Sequence, residues 1–176
     1  MNLREEIIKG PFTENRARRV FYSLIKVLNK IHQSGRVAYD LRSNQITIRE
    51  TEIEIPYSIT CTIEEYKSRD YPAYASPESI LGNLSQSDDV WAAGVILYQM
   101  LTCAYPFYAE NQTDIVCKII VGAFVLPNAS VDACILIRSM LGNKRPTFEQ
   151  VLNCNWFERL RSIDLLYGMN NLKLYD

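Results

Sequence analysis

The stretch from Val90 to Leu101 is almost entirely apolar, and it constrains the fold more than any other part of the sequence. A helix that is apolar on every side is typical of one that other elements surround completely. The stretch is too short to cross the hydrocarbon core of a bilayer, which takes about 20 residues. We therefore predict a central buried helix and expect Ser87 to cap its start.

Length and charge limit the other possibilities. The chain has 176 residues, of which 48% are hydrophobic, so it can build one domain with its own core. The formal net charge of −1 provides no overall attraction for nucleic acid or an anionic membrane, and we expect neither as a partner. His32 is the only histidine, which argues against a histidine-based metal site.

The cysteines and the amino terminus indicate a cellular compartment. Five cysteines form no C-x-x-C pair, and the number is odd. Free cysteines among apolar residues fit a reducing environment. The charged start of the sequence does not resemble a signal peptide. We expect an intracellular protein, either cytoplasmic or nuclear.

Hydrophobic spacing predicts a mainly helical chain with short strands. Two helices come first, the first capped by Asn2 and the second beginning at Thr13 and ending near Gly35. Isoleucines then alternate with polar residues between Ile46 and Ile55, which predicts two strands joined by a turn over residues 49–52. Residues 56–75 read as a loop. Later helices are predicted from capping residues and closing glycines: Asn111 or Thr113 with Gly122, Ser130 with Gly142, and Thr147 with Gln150 in a capping box.

Five segments in this order resemble a known family. They are Gly10-Pro11-Phe12-Thr13-Glu14 with Ala17-Arg18, Tyr71 to Glu78, Ser87 to Tyr98, Tyr105-Pro106-Phe107, and Lys144-Arg145-Pro146-Thr147 with Asn155-Trp156-Phe157. The chain is similar to the C-terminal lobe of eukaryotic Ser/Thr protein kinases, closest to the calcium/calmodulin- and AMP-activated type. The resemblance covers residues 9–157. It implies a kinase-like C-lobe over residues 1–160 and a tail of uncertain structure over residues 161–176.

The resemblance also implies three structural anchors. The residues matching Glu78 and Arg145 form a buried ion pair in the family, which ties the activation segment to the last helices. A planar guanidinium suits that role. The residue matching Asp89 holds the catalytic loop from below, since a carboxylate there can accept backbone N–H groups.

The segment matching the catalytic loop departs from the family pattern. The pattern His-Arg-Asp-Leu-Lys-Pro-Glu-Asn is replaced here by Ala38-Tyr39-Asp40-Leu41-Arg42-Ser43-Asn44-Gln45. Asp40 keeps the place of the general base, and Arg42 replaces the lysine. Gln45 replaces the metal-binding asparagine, unless a shift of one residue puts Asn44 there. The tyrosine replaces the arginine that receives an activation-loop phosphate.

Other parts of the phosphoryl-transfer machinery are missing from the sequence. It contains no G-x-G-x-x-G, and Pro56-Tyr57-Ser58 follows the second strand where Asp-Phe-Gly is expected. About ten residues precede Pro11, which leaves no room for a five-stranded small lobe when strands average ~5–6 residues. Gln99 and Asn44 occupy places where basic-substrate kinases carry glutamates, so attraction for an arginine-bearing peptide is reduced. We therefore expect no productive binding of ATP or Mg²⁺, and no metal or cofactor site.

These observations leave three hypotheses. The first is an inactive kinase-like module whose surface, left open by the missing small lobe, binds a protein partner. We expect its contacts in Leu3–Ile8, Cys61–Tyr74 and Asn111–Val121. The second is a divergent Ser/Thr kinase that takes its small lobe from another chain. The third is a decaying product without a selected function.

Overall fold

The computed structural model describes residues 1–38, 41–56 and 72–163. Two helices lead into a hairpin, and further helices follow, so the predicted mainly helical class is confirmed for this part of the chain. The helices are α1 (Leu3–Ile7), α2 (Glu14–Gln33), α3 (Pro77–Ile80), α4 (Ser87–Thr102), α5 (Gln112–Val121), α6 (Val131–Met140) and α7 (Phe148–Leu152). Short 3-10 turns cover Pro72–Tyr74 and Asn155–Phe157.

The two strands form a small antiparallel sheet. Strand β1 (Thr47–Arg49) pairs with β2 (Glu52–Glu54), with Ile48 opposite Ile53. Their central isoleucines are buried and the flanking residues of β2 are exposed, which is the alternation expected from the sequence. The start of the chain joins this sheet, because Asn2 bridges Thr47 and the amide of Leu3 donates to the carbonyl of Ile46 at 2.8 Å.

Helix α4 lies at the centre of the core. Every residue from Asp88 to Met100 is buried, and the helix packs against α2 on one side and α6 on another. Gly94 allows the close approach of α6, because a β-carbon at this position would lie 2.9 Å from the Cβ of Met140. The predicted central buried helix is confirmed.

Aromatic rings join the end of the described chain to α2. Phe21 packs against Trp156 and Phe157, with ring centroids 6.3 and 6.2 Å apart. Tyr22 makes an edge contact with Phe157 at 5.0 Å. A helical stretch over residues 158–163 follows and crosses the predicted boundary at residue 160, while residues 164–176 of the predicted tail lie outside the described part.

Helix ends agree with most of the sequence predictions. Asn2, Thr13, Asn111, Ser130 and Thr147 cap their helices with side-chain hydrogen bonds, and Gly122 ends α5 in the left-handed conformation. Two predictions were wrong. Ser87 is the first residue of α4, whose cap Gln86 makes no side-chain bond, and α6 ends at Met140 rather than at Gly142. Ser87 does not cap because its hydroxyl accepts from a side chain elsewhere in the fold.

Among the described residues, none of the helices has the length and apolar composition that crossing a bilayer requires.

Candidate functional site

Asp40, the predicted base, lies outside the described residues together with Tyr39. Leu41 and Ser43 are buried, and the amide of Gln45 donates to the carbonyl of Arg42 at 3.0 Å. This turn leads directly into β1.

Asp89 connects the start of this loop to the central helix. Its Oδ2 accepts a hydrogen bond from the backbone N–H of Ala38 at 2.7 Å and lies 2.7 Å from Nε2 of His32. The carboxylate is buried, with 1% of the side chain exposed. The carboxylate of Asp89 on α4 therefore connects α2, through His32, with the loop that starts at Ala38. The ring of His32 also packs on Phe148 of α7, with ring centroids 4.7 Å apart.

Arg145 and Glu78 form the second connection. Arg145 Nη2 lies 2.5 Å from Glu78 Oε2, and Nη1 donates to the hydroxyl of Ser87 at 3.1 Å. The guanidinium also lies 5.0 Å from the ring centre of Trp91. The arginine side chain is 2% exposed but the glutamate is 37% exposed. The family resemblance implied that both partners are buried. Only Arg145 is buried, because Glu78 belongs to α3, which lies at the surface.

Partial burial alone would raise the pKa of Glu78. The hydrogen bond from Arg145 and its positive charge outweigh that cost, and the pKa lies below its usual value. The carboxylate therefore stays charged, which keeps the charge-assisted hydrogen bond to the arginine.

Asp88 is an anchor that the sequence reasoning missed. Its Oδ1 accepts from the hydroxyl of Ser76, and Oδ2 accepts from the backbone N–H of Ser85 at 2.6 Å. Burial raises the pKa of Asp88, and the two hydrogen bonds offset only part of that rise. The available signal was a second acid beside Asp89 in a helix predicted to be buried, since a buried carboxylate needs partners.

A chain of three polar side chains was also missed. The hydroxyl of Tyr74 donates to Gln99 Oε1 at 3.0 Å and lies 2.9 Å from the hydroxyl of Ser43. Gln99 is 5% exposed, so its side-chain amide accepts this hydrogen bond inside the core. From the sequence, Gln99 was interpreted only as the neutral replacement of a substrate-binding glutamate. It instead connects the loop, the segment before α3 and α4.

Glu14 ties the two ends of the described chain together. Its carboxylate accepts from the indole N–H of Trp156 at 2.8 Å and from the hydroxyl and backbone N–H of Ser130 at 2.7 and 2.8 Å. Arg18 Nη2 lies 2.8 Å away. Partial burial raises the pKa of Glu14, but these donors together bring it below its usual value.

The described residues show no group of three or more histidine, cysteine, aspartate or glutamate side chains that could hold a metal ion. The hairpin ends in Glu54, followed by Ile55 and Pro56. Because Glu54 is exposed in the strand and lies 3.9 Å from Arg49, it is placed as a solvent-facing residue of the sheet.

The predicted contact regions differ in exposure. In Leu3–Ile8, Leu3 and Ile7 are 0% and 3% exposed, whereas Arg4, Glu5 and Ile8 are exposed, so only the outer side of this region could contact a partner. An amphipathic first helix turns its apolar side into the core. Most of Cys61–Tyr74 lies outside the described residues. Helix α5 buries only Ile119.

Comparison with known proteins places these features in a family. The protein kinase domain family matches residues 2–157. The probable serine/threonine-protein kinase MARK-A of Dictyostelium discoideum is 31% identical over 94% of this chain and 17% of its own length. Tribbles homolog 2 of Bos taurus is 32% identical over 82% of this chain and 47% of its length. Calcium-dependent protein kinase 29 of Arabidopsis thaliana is 32% identical over 85% of this chain and 31% of its length.

The chain therefore spans less than half the length of each of these relatives. The matched residues include the three implied anchors and the central helix, and they cover most of the chain. The chain belongs to the protein kinase domain family.

Proposed function

We propose that this chain is a catalytically inactive kinase-like module that binds a protein partner. The observation that carries the proposal is a contrast within one domain. The anchors Glu78, Asp89 and Arg145 retain hydrogen-bonded partners, while the sequence after β2 reads Ile55-Pro56-Tyr57 where the family has its metal-binding aspartate. The residues that stabilise the fold are therefore present, whereas the metal-binding carboxylate that phosphoryl transfer needs is absent from its expected place in the sequence.

The exposed apolar residues favour a particular contact surface. Among the described residues, ten large hydrophobic side chains are exposed, and five of them lie between Ile120 and Ile135. Only Met1 and Ile8 lie near α1 and the hairpin. This distribution moves the proposed contact away from the side where a small lobe would sit. We define the α5 face as Ile120, Val121 and Val125, which are 46%, 77% and 80% exposed.

An apolar face of this kind is typical of a surface that another protein covers. Cys117 and Lys118 are also exposed on α5, so the helix is open along most of its length. Helix α5 itself carries two charged residues, Asp114 and Lys118. We infer a partner that contributes apolar side chains rather than a charged patch.

Addition of ATP with Mg²⁺ is expected to leave the thermal unfolding midpoint of the chain unchanged. A ligand at a hundred times its dissociation constant would add about 2.7 kcal/mol, which corresponds to roughly 5–10 °C for a chain of this size. Differential scanning fluorimetry with and without Mg²⁺ measures this, with an active kinase domain as the positive control. A magnesium-dependent rise would instead support a divergent kinase that takes its small lobe from another chain.

The double substitution I120D/V121D is expected to reduce binding of an apolar fluorescent dye several-fold, because charge on the α5 face disrupts an apolar surface. The matched control is I8D, since Ile8 is 69% exposed and lies just after α1, far from α5 in the sequence. Circular dichroism checks that both variants stay folded. Equal dye binding by the double variant and the wild type would argue against the α5 face as the contact surface.

A further inference from the structure

Ser87 and the anchor residue Glu78 both contact the buried side chain of Arg145. Arg145 donates through Nη1 to Ser87 and pairs through Nη2 with Glu78, and its side chain is 2% exposed. Its Nε has no hydrogen-bond partner in the described part of the chain. One guanidinium therefore holds both the start of α4 and the carboxylate of α3.

Ser87 is half-buried and lines a cleft of about 600 Å³ between the end of α2, the start of α4 and the start of α7. The loop that precedes α4 is exposed at Leu81, Gly82 and Asn83. Ser85 Oγ lies 2.8 Å from Ser87 Oγ at the same opening.

We propose that Ser87 is a phosphorylation site and that its phosphate draws Arg145 away from Glu78, which loosens α3. A protein kinase acting in trans would transfer the γ-phosphoryl group of a nucleoside triphosphate to Ser87 Oγ. The bond between Oγ and phosphorus forms, the bond to the diphosphate leaving group breaks, and the hydroxyl proton passes to the base of that kinase.

Charge explains the direction of the effect. A phosphoserine carries about −1.5 to −2 charges and three acceptor oxygens, so it competes strongly for a guanidinium within hydrogen-bond reach. The described acids nearby are Glu78, Asp88, Asp89 and Glu149, and the described basic side chains are Arg145 and His32. Asp88 accepts from Ser76 and Asp89 accepts from Ala38, so both acids have other donors. Among the described carboxylates Glu78 is the one paired with Arg145, and at 37% exposure it can be solvated when the phosphate takes its place.

The loosened helix adjoins the proposed contact surface. Helix α3 has only four residues and packs against α5. Release of Glu78 leaves Ser76 as the described side-chain link that holds the start of α3 to α4. Phosphorylation of Ser87 would therefore control the α5 face, a consequence that rests on the proposed function.

The test uses the full chain with phosphoserine incorporated at position 87 during synthesis. Hydrogen exchange of residues 77–82 is expected to become about tenfold faster or more, since a charge-assisted bond to α3 is lost. Residues 112–121 are expected to exchange faster as well. The matched control carries phosphoserine at Ser162, which is exposed and bonds only the carbonyl of Glu158 among the described contacts.

Unchanged exchange of residues 77–82 would overturn the proposal, and unchanged exchange of residues 112–121 would overturn its extension to α5. If the phosphorylated chain does not fold, the milder S87D variant replaces it, with S87A as its neutral control. Phosphopeptide mass spectrometry of the chain isolated from its own cells should also find phosphate on Ser87, and an unmodified Ser87 throughout would contradict the assignment. Since the exchange measurement needs no partner, the proposed function can fail in the dye experiment while this result stands.

Discussion

Replacement of Asp89 by alanine is expected to lower the free energy of unfolding by about 3 kcal/mol or more. The substitution removes the acceptor for the buried N–H of Ala38 and the partner of His32 in one step. Water cannot replace it easily, because Asp89 is 1% exposed. A buried donor without an acceptor bears its full desolvation cost. Urea-induced unfolding followed by circular dichroism measures the difference.

The matched control for this prediction is D132A. Asp132 also lies in the first turn of a long helix, but it is exposed, so its removal is expected to cost less than about 1 kcal/mol. The conservative variant D89N keeps an oxygen for Ala38 and should fall between the two. An Asp89→Ala chain as stable as the control would show that the loop does not depend on this carboxylate.

Replacement of Gly94 by valine is expected to destabilise the chain by about 3 kcal/mol, at the upper end of overpacking costs. Even the first added carbon would lie 2.9 Å from the Cβ of Met140 and 3.1 Å from Cδ2 of Leu141. The neighbour in closest contact is a β-carbon on α6, which cannot move without the helix. The branched side chain adds two more methyl groups to the same gap. Thermal unfolding of the variant gives the measurement.

The control for crowding is G94A, which adds only the first carbon and should lose about 1–2 kcal/mol. A second comparison is A93G, which removes volume one residue away and leaves a small cavity instead. If valine at position 94 were tolerated as well as alanine, α4 and α6 would be less closely packed than the structure indicates.

The helical fold could be predicted because its signals are local. Asn2, Thr13, Asn111, Ser130 and Thr147 cap helices through bonds to residues three positions away, and such spacing is visible in the sequence. Helix α4 could be predicted from its composition alone. Ser87 was misread because its hydroxyl is occupied by Arg145, which is 58 residues away.

The site was predictable only where the family resemblance supplied distant pairs. Glu78 and Arg145 are 67 residues apart, and no local pattern connects them. The connection from Ser43 through Tyr74 to Gln99 had no such guide, because hydroxyl and amide groups occur throughout the sequence. Helix α5 lies in Asn111–Val121, which the sequence analysis named as a contact region. The sequence could not show which of its residues stay exposed, because only the packing of neighbouring elements leaves Ile120 and Val121 open.

The bond between Glu14 and Trp156 has a consequence for how the protein is made. These residues are 142 positions apart, so the bond closes across most of the described chain. At ribosomal rates of about 5–20 residues per second, α2 waits on the order of 10 s before Trp156 is synthesised. During that time the ring of Phe21, which is fully buried in the finished fold and packs on Trp156, lacks part of its cover.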